Sequence, residues 1–595
     1  MDRCSLNRRT FLKSAVTTVA IAKALPLAAL SDPRERLQQL PYSAVTLTGG
    51  PFKEHYDRIH AHYLSLSNDR LLKVYRQRAG LPAPGADMGG WYDLDGFVPG
   101  HTLGQYISGL SRIGASTGDS ACHQKVQELV TGFAATLGQD NQSVLRPKTN
   151  LWICYTLDKH FAGLIDAATL SNLPESRELL NRVLAGAMPL LPEKGRDRIG
   201  KKDPPYDETF VMPENLFLAA ELTDNPAFTE FAHRYLLDRE LFDLLAAGDD
   251  PFPGQHAYSH AIALSSGAKA YLTLGDARYK QALQNAFTLL TMTQQFASGG
   301  WGPNETFITP HRGELCASLS STVDHFETPC GAYAATKLAR YLLRFTADAR
   351  YGDNLERVLF NTILAARNPD SEGDYPYYST YSPSAIKVYY QKKWPCCSGT
   401  LVQTVADYVL NLYFQSPEGL YVNLYTPSQV KWLQAGVPVT LSQHTSFPSD
   451  DRTAITLNPA SPVSFALSFR IPAWTAQPVL LLNGKQQSLA LKPGTIATLH
   501  RTWKPGDTIE LTLPQSFRTE PIDDQNPDTV ALMRGPVEYV ALNSSGNKPD
   551  ALNQPRPTLN RDLRPVGPNA YSSAGKTFVP LHSIQTETYD AYFNA

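Results

Sequence analysis

Two patterns of hydrophobic and polar residues divide the chain. From about residue 50 to 415, hydrophobic residues recur at the three- and four-residue spacing of amphipathic helices. After about residue 418 they alternate with polar residues in short runs such as GLYVNLYTPS, VSFALSF and TIELTL, which are separated by Pro, Gly and Asn turns. The pattern therefore predicts a helical domain followed by a domain of β-strands.

The helical region is long enough for roughly twelve helices. The same short pattern recurs between the predicted helices. It consists of a Thr, then a turn that contains Gly, Asp or Asn, and then a new amphipathic helix. In LTLGDARYKQALQNA, for example, the Asp is well placed as an N-cap. Repeated helical hairpins in this number favour an (α/α)6 barrel of six inner and six outer helices, with a superhelical solenoid as the alternative. The predicted helices include 54–78, 103–117, 120–138, 155–170, 174–191, 225–247, 258–274, 276–294, 328–346, 350–367 and 398–415.

The predicted barrel occupies 40–417 and the predicted β-sandwich 418–545. The remaining segment, 546–595, is expected to be irregular because its first part is rich in Asn, Pro, Ser and Gly. Loops on a rigid scaffold usually carry the chemistry of a protein. Four longer loops interrupt the helical pattern, at 78–102, 192–210, 295–325 and 367–397.

The first 30 residues have the pattern of an export signal. Arg8 and Arg9 are followed by Phe-Leu-Lys and a modestly apolar stretch, which resembles a bacterial twin-arginine signal peptide over 1–30. The apolar stretch contains Lys23 and, at about sixteen residues, is too short and too polar for a transmembrane helix. We therefore expect export through the twin-arginine machinery to the periplasm or beyond, and no membrane span.

Composition excludes some classes of partner. The 595 residues include 54 basic and 56 acidic ones, so the net charge of −2 provides no basic field for nucleic acid or anionic lipid. The 29 tyrosines are compatible with sugar-binding clefts, although composition alone favours large cores as their explanation. Seven cysteines in so long a chain do not form a disulfide scaffold.

Two of these cysteines are adjacent. Cys396 and Cys397 stand in WPCCSGT at the start of a predicted helix, and the segment FETPC places Glu327 and Cys330 at the start of another. Three thiols and one carboxylate are a suitable tetrahedral ligand set for Zn²⁺. The alternative is that the paired cysteines are buried or redox-sensitive. Cys122, Cys154 and Cys316 have the character of small buried hydrophobic residues.

Segments spread over nearly the whole chain resemble glycoside hydrolase family 127, the β-L-arabinofuranosidases, and the related family 146. They include GGWYDLDGFVPGHTLGQYISGLSRIGASTGD, YTLDKHFAGLIDA, FETPCGAYAATKL, WPCCSGT, YVNLYTPS, TWKPGDTIELTLP and ALMRGPVEYVAL. The resemblance implies an (α/α)6 barrel followed by β-sandwich modules. This architecture agrees with the hydrophobic pattern.

The resemblance also implies roles for particular residues. Glu327, Cys330, Cys396 and Cys397 would bind zinc, Cys396 would be the nucleophile, and Glu314 of RGELC would be the general acid/base. Three residues in segments that resemble family motifs, or in the tyrosine-rich loop before the cysteine pair, would bind substrate: His101, His260 and Tyr378.

The chain departs from the family pattern at three positions. Pro329 lengthens the usual Glu-Thr-Cys to Glu-Thr-Pro-Cys, although proline is tolerated in the first turn of a helix. Asp158 replaces the His of YTLHK, and Tyr92 replaces the acid of GGWE. The last two changes concern the identity of the substrate more than the type of reaction.

The sequence thus predicts an exported, zinc-dependent, retaining glycoside hydrolase that releases a terminal β-L-arabinofuranose, or a related furanose, from plant-derived glycans or glycoproteins. One alternative is a non-catalytic carbohydrate-binding protein with a structural zinc. Another is a metal-free (α/α)6 glycosidase or lyase that uses Glu314 with an Asp such as Asp324. The sequence does not determine the oligomeric state.

Overall fold

The computed structural model describes residues 32–139, 141, 152–195, 207–366, 374–543, 552, 555–560 and 562–595. The predicted signal peptide, 1–30, lies outside the described residues. Over the described part of the chain there are fifteen α-helices: α1 Gly50–Ser65, α2 Asn68–Arg78, α3 Leu103–Thr117, α4 Ser120–Ala135, α5 Ile153–Thr169, α6 Glu175–Ala187, α7 Pro213–Thr223, α8 Pro226–Tyr235, α9 Asp243–Ala247, α10 Ala257–Leu274, α11 Ala277–Leu289, α12 Glu314–Ser318, α13 Thr328–Thr346, α14 Ala349–Val358 and α15 Cys396–Ala406. None of these helices is long and apolar enough to cross a bilayer.

Six helices form a closed inner ring. Each packs against the next in the order α3, α5, α7, α10, α13 and α15, and α15 returns to α3. An outer helix pairs with each inner one, namely α4, α6, α8, α11, α14 and, beside α15, α1. The contact between α15 and α3 closes the ring, so the predicted (α/α)6 barrel is confirmed and the open solenoid is not formed.

The helix boundaries follow from local capping. Asp119, Asn225, Asp276 and Asp348 each accept a hydrogen bond from a backbone N–H in the first turn of α4, α8, α11 and α14, which explains the recurring turns of the sequence. The single helix predicted over 54–78 is wrong. It is divided into α1 and α2 because the Ser67 side chain caps a new helix.

The β-strands after the barrel form two units. The described residues contain the strands β1 Gln38–Gln39, β2 Val45–Leu47, β3 Phe326–Glu327, β4 Tyr375–Ser379, β5 Val388–Tyr390, β6 Tyr413–Ser416, β7 Gly419–Val422, β8 Ser428–Gln434, β9 Val437–Thr445, β10 Arg452–Pro459, β11 Val463–Ile471, β12 Val479–Leu482, β13 Lys485–Gln486, β14 Thr495–Trp503, β15 Asp507–Thr512, β16 Phe517–Pro521, β17 Thr529–Arg534, β18 Val537–Leu542, β19 Arg564–Gly567, β20 Ala570–Ser573, β21 Lys576–Pro580, β22 Tyr589–Asp590 and β23 Tyr592–Asn594.

The first unit is the predicted β-sandwich. One sheet has the order β1-β6-β7-β11-β14 and the other β13-β12-β15-β10-β9-β8-β2, so two strands that precede the barrel complete the edges of the sandwich. Buried and exposed residues alternate along β8 and β10, as expected for strands with one face in the core.

The second unit was not predicted as a separate one, and its strands β17 and β18 fall within the sandwich predicted over 418–545. Strands β16 to β21, with β22 and β23, form an eight-stranded sheet that includes residues from 517 to 594. The prediction of an irregular segment over 546–595 is therefore wrong, because β19 to β23 pair with one another and with β17 and β18. These strands are short and their hydrophobic pattern is weak.

A small sheet, β3-β4-β5, lies against the barrel. Glu327 of β3 pairs with Tyr378 of β4, and β4 pairs in turn with β5. This sheet connects the start of α13 to the tyrosine-rich loop that precedes α15, and so brings two distant parts of the sequence together.

Candidate active site

A cavity of about 260 Å³ lies at the N-terminal ends of the inner helices. The inner helices run parallel to one another because an outer helix returns the chain between them, so their N-termini share one end of the barrel. Helix N-termini carry unpaired N–H groups and favour negative charge. The lining residues are Trp91, Phe97, Val98, His101, Trp152, Tyr155, Glu208, His256, Tyr258, Glu305, Glu327, Tyr377, Tyr390 and Cys396.

Three cysteines and one glutamate converge at this cavity. Cys396 and Cys397 are the first two residues of α15, and Cys330 lies in the first turn of the neighbouring helix α13. Glu327 is the N-cap of α13 and the last residue of β3. Pro329 occupies the first turn of α13, so the extra residue relative to Glu-Thr-Cys is absorbed without breaking the helix.

The four ligand atoms have the spacing of a tetrahedral metal site. All lie within 4.8 Å of one another. The Sγ atoms of Cys396 and Cys397 lie 3.2 and 3.6 Å from Oε1 of Glu327, and the Sγ atoms of Cys397 and Cys330 are 3.5 Å apart. With zinc–sulfur bonds of about 2.3 Å, the edges of a tetrahedron are about 3.6 to 3.8 Å. The donor set therefore fits Zn²⁺ after small shifts.

The charge balance of these four groups also favours a cation. Burial raises the pKa of Cys330, Cys397 and Glu327 well above their ordinary values, and the negative charge of Cys396 acts in the same direction on each. Hydrogen bonds from Cys330 and Cys397 hold the pKa of Cys396 well below its ordinary value. A divalent ion would allow the remaining thiols to ionise as well.

Glu305 is one of three glutamates that line the cavity, with Glu208 and Glu327. Asn304 and Glu305 both have positive φ values, 54° and 58°, which are strained for residues with a side chain. The strained backbone is held in place because the Asn304 N–H donates to the carbonyl oxygen of Asp324 at 2.7 Å, and its side-chain oxygen accepts a hydrogen bond from Thr322 at 2.8 Å. The barrel thus fixes the direction of the Glu305 side chain.

The carboxylate of Glu305 is surrounded by proton donors. Its Oε1 accepts hydrogen bonds from Tyr378 at 2.6 Å and from Tyr377 at 3.2 Å, and its Oε2 lies 3.5 Å from Nε2 of His256. Glu208 lies on the other side of His256, 3.3 Å from Nδ1. Burial acts to raise the pKa of Glu305, but His256 and Tyr378 outweigh it and lower this pKa to about 2.

His101 presents a hydrogen-bond acceptor to the cavity. Its Nδ1 lies 2.6 Å from the carbonyl oxygen of Val98, a contact that requires the proton to be on Nδ1. Burial lowers the pKa of His101 to about 3, so the ring is neutral. Its Nε2 has no hydrogen-bond partner in the described structure and carries a lone pair.

Aromatic side chains surround the opening. Phe97 is 56% exposed and lies 5.0 Å from Trp91 and 5.8 Å from Trp152, measured between ring centroids. Trp91 reaches this position because its N–H donates to the carbonyl of Lys393 at 2.8 Å. Gly90 permits the approach, since a Cβ at this position would lie 2.4 Å from Cα of Lys393. Flat apolar rings at an opening suit the face of a sugar or another ring.

Two residues predicted for the site lie elsewhere. Glu314 begins α12, accepts a hydrogen bond from the Thr309 N–H at 2.9 Å and does not line the cavity. The carboxylate expected there is that of Glu305. His260 faces the barrel wall, where its Nδ1 meets the carbonyl of His256 at 3.0 Å, and His256 takes its place at the cavity. Tyr378 reaches the site through Glu305.

The two other departures from the family pattern lie behind the lining. Tyr92 is buried in the barrel, where its hydroxyl donates to the carbonyl of Leu71 at 2.7 Å. Asp158 accepts a hydrogen bond from Asn215 at 2.7 Å, and burial raises its pKa to about 6. Asp324, the partner considered for a metal-free mechanism, does not line the cavity.

Several lining residues were missed in the sequence, among them Glu208, His256, Glu305, Trp91 and Trp152. The signal in the sequence that could have identified Glu305 is its position in the long loop over 295–325, one of the four loops expected to carry chemistry. Within it, the turn residues of GPNETF mark Glu305 as a side chain on an irregular backbone, whereas Glu314 begins a helix.

Comparison with known families gives two matches in the order of the domains. The profile of the β-L-arabinofuranosidase GH127 catalytic domain matches residues 44–409, more than half of the chain. The profile of the β-L-arabinofuranosidase GH127 middle domain matches residues 419–515. The two matched segments correspond to the barrel and the β-sandwich.

Comparison with individual proteins points to the same family. A non-reducing end β-L-arabinofuranosidase of Bifidobacterium longum subsp. longum is 25% identical over 260 residues, which are 40% of this chain and 36% of the relative. The match thus spans only about a third of that curated protein. The structure of a GH127 β-L-arabinofuranosidase from Geobacillus stearothermophilus T6 superposes with a TM-score of 0.72 at 18% identity, over 92% of this chain and 99% of that one. A second structure, of a GH127 β-arabinofuranosidase, superposes with a TM-score of 0.73 at 16% identity, over 94% of this chain and 98% of that one.

Proposed function

Because the chain belongs to the β-L-arabinofuranosidase family GH127, we propose that it is a zinc-dependent, retaining glycoside hydrolase that releases a terminal β-L-arabinofuranose from plant-derived glycans or glycoproteins. One observation carries the proposal. Cys396 lines the same cavity as the carboxylate of Glu305, at the end of the barrel where the inner helices begin.

Glu327, Cys330, Cys396 and Cys397 would hold the zinc ion. When bound, such an ion keeps its sulfur ligands deprotonated and makes a thiolate a better leaving group. The positions of these ligands at two helix N-termini add to the stabilisation of thiolate.

The proposed reaction has two displacements. In the first, the Cys396 thiolate attacks C1 of the sugar, the bond from C1 to the leaving oxygen breaks, and Glu305 gives that oxygen a proton. In the second, Glu305 takes a proton from water, the water oxygen attacks C1, and the bond between C1 and sulfur breaks to restore the thiolate. Two inversions at C1 give net retention.

Glu305 needs a proton in the first step and must be ionised in the second. The two carboxylates that flank His256 favour the imidazolium form of this ring. We infer that the pair of Glu305 and His256 holds one proton, which moves to Glu305 as negative charge develops on the leaving oxygen. The low pKa of Glu305 then provides the ionised form for the second step.

Binding of the sugar would use the neutral His101, whose free Nε2 accepts a hydrogen bond from a hydroxyl group. The aromatic residues at the opening would contact the group that leaves. The relative from Bifidobacterium longum is named as acting at the non-reducing end, which supports release of a terminal sugar.

The test is an assay of nitrophenyl pentofuranosides, with metal analysis of the same sample. We expect hydrolysis of the β-L-arabinofuranoside, about one zinc per catalytic cluster, and NMR detection of the β-anomer as the first product. Cys396→Ser should lower kcat by about a thousandfold or more, since the nucleophile is lost. Cys316→Ser, at a buried cysteine outside the cavity, is the matched control.

Two results would contradict the proposal. Turnover that persists after chelation and thiol alkylation would favour a metal-free mechanism. Absence of turnover on every furanoside, with sugar binding intact in both the wild type and Cys396→Ser, would favour a carbohydrate-binding protein with a structural zinc.

Export is a separate proposal, supported by Arg8 and Arg9 and the apolar stretch that follows them. The full chain expressed in a bacterium with a twin-arginine system should be found in the periplasmic fraction. Replacement of both arginines by lysine should retain it in the cytoplasm, whereas equal fractionation of the two proteins would contradict export by this route.

A further inference from the structure

A second group of potential metal ligands lies outside the cavity. His60 near the end of α1, and Asp119 and Cys122 at the start of α4, place a nitrogen, an oxygen and a sulfur within 4.8 Å of one another. The Nε2 atom of His60 is 3.0 Å from Oδ2 of Asp119 and 3.2 Å from Sγ of Cys122. None of the three lines the cavity described above.

Hydrogen bonding uses these three atoms only in part. If Nε2 of His60 carries a proton, it donates mainly to Asp119, because the sulfur of Cys122 is only a weak acceptor. If Nε2 has a lone pair, it can accept from the thiol, but it then faces the carboxylate oxygen of Asp119 without a proton between them. In neither protonation state of the ring do all three atoms make strong hydrogen bonds.

A cation at the centre would use all three atoms fully, because each of them then acts as a lone-pair donor. We propose that His60, Asp119 and Cys122 form a second metal site, for Zn²⁺ or a similar borderline divalent ion, with water as the fourth ligand. Thiolate, imidazole and carboxylate are all ligands that zinc accepts. The two distances from Nε2 of His60, 3.0 and 3.2 Å, are slightly shorter than the tetrahedral edges of about 3.3 to 3.6 Å expected for zinc bonds of about 2.0 to 2.3 Å.

The ligands are held in place by the local fold. Oδ1 of Asp119 caps α4 by accepting a hydrogen bond from the Ala121 N–H at 2.9 Å, which leaves Oδ2 directed toward His60. Cys122 lies in the first turn of the same helix, and because burial raises the pKa of its thiol to about 12, a bound metal ion would be needed to keep it ionised. His60 and Asp119 are half-buried, so an ion can reach the site from solvent.

The site would connect α1 to α4 across 62 residues of sequence between His60 and Cys122. Since closing such a loop restricts the unfolded chain, bound metal should stabilise the fold. It should not change catalysis, because the site is separate from the catalytic cavity.

The experiment uses the full chain with its barrel zinc in place and Co²⁺ as the probe. We expect one equivalent of Co²⁺ to bind with a near-ultraviolet absorption from sulfur-to-cobalt charge transfer, with no release of zinc and a higher melting temperature. Cys122→Ser should abolish the absorption. Asp119→Asn should weaken binding by about tenfold or more while keeping the N-cap, since asparagine caps helices as well as aspartate.

The matched control is Cys154→Ser, at a buried cysteine away from both clusters, which should bind Co²⁺ as the wild type does. The proposal is overturned if the wild type gives no sulfur-to-cobalt absorption, or if the absorption persists in Cys122→Ser. Persistence with release of zinc would mean that cobalt had entered the barrel cluster instead. Before Co²⁺ is added, the wild type and Asp119→Asn should have equal melting temperatures, which would show that the variant is folded.

Discussion

The Sγ atom of Cys396 lies 3.2 Å from Oε1 of Glu327, although 69 residues separate them along the chain. Two features bring them together. Neighbouring inner helices place their N-termini side by side, and the small sheet β3-β4-β5 sets Glu327 at the start of α13. The consequence is a group of acidic side chains in a buried position that a divalent cation would neutralise.

Loss of one ligand should release the metal. We expect Cys397→Ser to lower zinc affinity by at least about 100-fold, because a neutral hydroxyl replaces a thiolate. The melting temperature should fall by several degrees and activity should disappear. Metal analysis after dialysis and calorimetry measure both effects. A variant that retains a full equivalent of zinc would argue against Cys397 as a ligand, and Cys316→Ser should behave as the wild type.

A pair of matched variants distinguishes the two glutamates considered as acid/base. Glu305→Gln should lower kcat by roughly 10² to 10⁴-fold on glycans, and much less on nitrophenyl substrates, whose leaving group needs little help from an acid. Glu314→Gln should leave both rates unchanged, since this side chain does not line the cavity. If Glu314→Gln were the inactive variant, the assignment made from the geometry would be incorrect.

His256 should determine the behaviour at low pH. In the wild type His256 lowers the pKa of Glu305, so the ionised form needed in the second displacement persists into acid. In His256→Gln, burial would dominate and the pKa of Glu305 would rise. The acidic limb of the profile of kcat against pH should therefore move to higher pH. Steady-state assays between about pH 3 and pH 8 would detect this change. An acidic limb at the wild-type position would show that His256 does not act on Glu305.

Phe97 should affect the leaving group rather than the sugar in the cavity. It is exposed at the opening, so Phe97→Ala should not disturb folding. Loss of a stacking contact of about 1 kcal/mol should raise KM roughly fivefold for substrates with a ring on the leaving side. KM for a methyl furanoside should stay the same. Met292→Ala, at another exposed hydrophobic residue, serves as the control, and an equal change for both substrates would exclude the stacking role.

Glu538 should make stability depend on pH. It is fully buried on β18, neither of its oxygens has a hydrogen-bond partner in the described structure, and burial raises its pKa to about 8. The folded protein thus binds a proton that the unfolded chain releases above its ordinary pKa of 4.5.

This stabilisation is complete below about pH 4.5 and is lost as the pH rises from there through 8, at about 1.4 kcal/mol per pH unit. Glu538→Gln should remove that part of the dependence. As the pH rises from about 5 to 9, the melting temperature of the wild type should therefore fall relative to that of the variant. A constant difference would mean that the carboxyl keeps its charge state.

The sequence by itself determined the elements with a strong period and the residues with rare chemistry. Amphipathic helices separated by Asp and Asn caps predicted the barrel, because caps and hydrophobic faces act over a few residues. The alternating strands from β8 to β15 predicted the sandwich for the same reason. The pair Cys396 and Cys397, with Glu327 and Cys330, was recognisable because few residue types bind soft metals.

Only the tertiary structure decided which other side chains meet these ligands. Glu305 rather than Glu314 reaches the cavity because Asn304 and Glu305 adopt a strained backbone that contacts from 322 and 324 hold in place. His256 rather than His260 lines the cavity because His256 is the N-cap of α10, at the end of the ring, whereas His260 lies one turn inside the helix. The final sheet was hidden for a related reason, since its short strands are stabilised by pairing between distant segments and not by a local pattern.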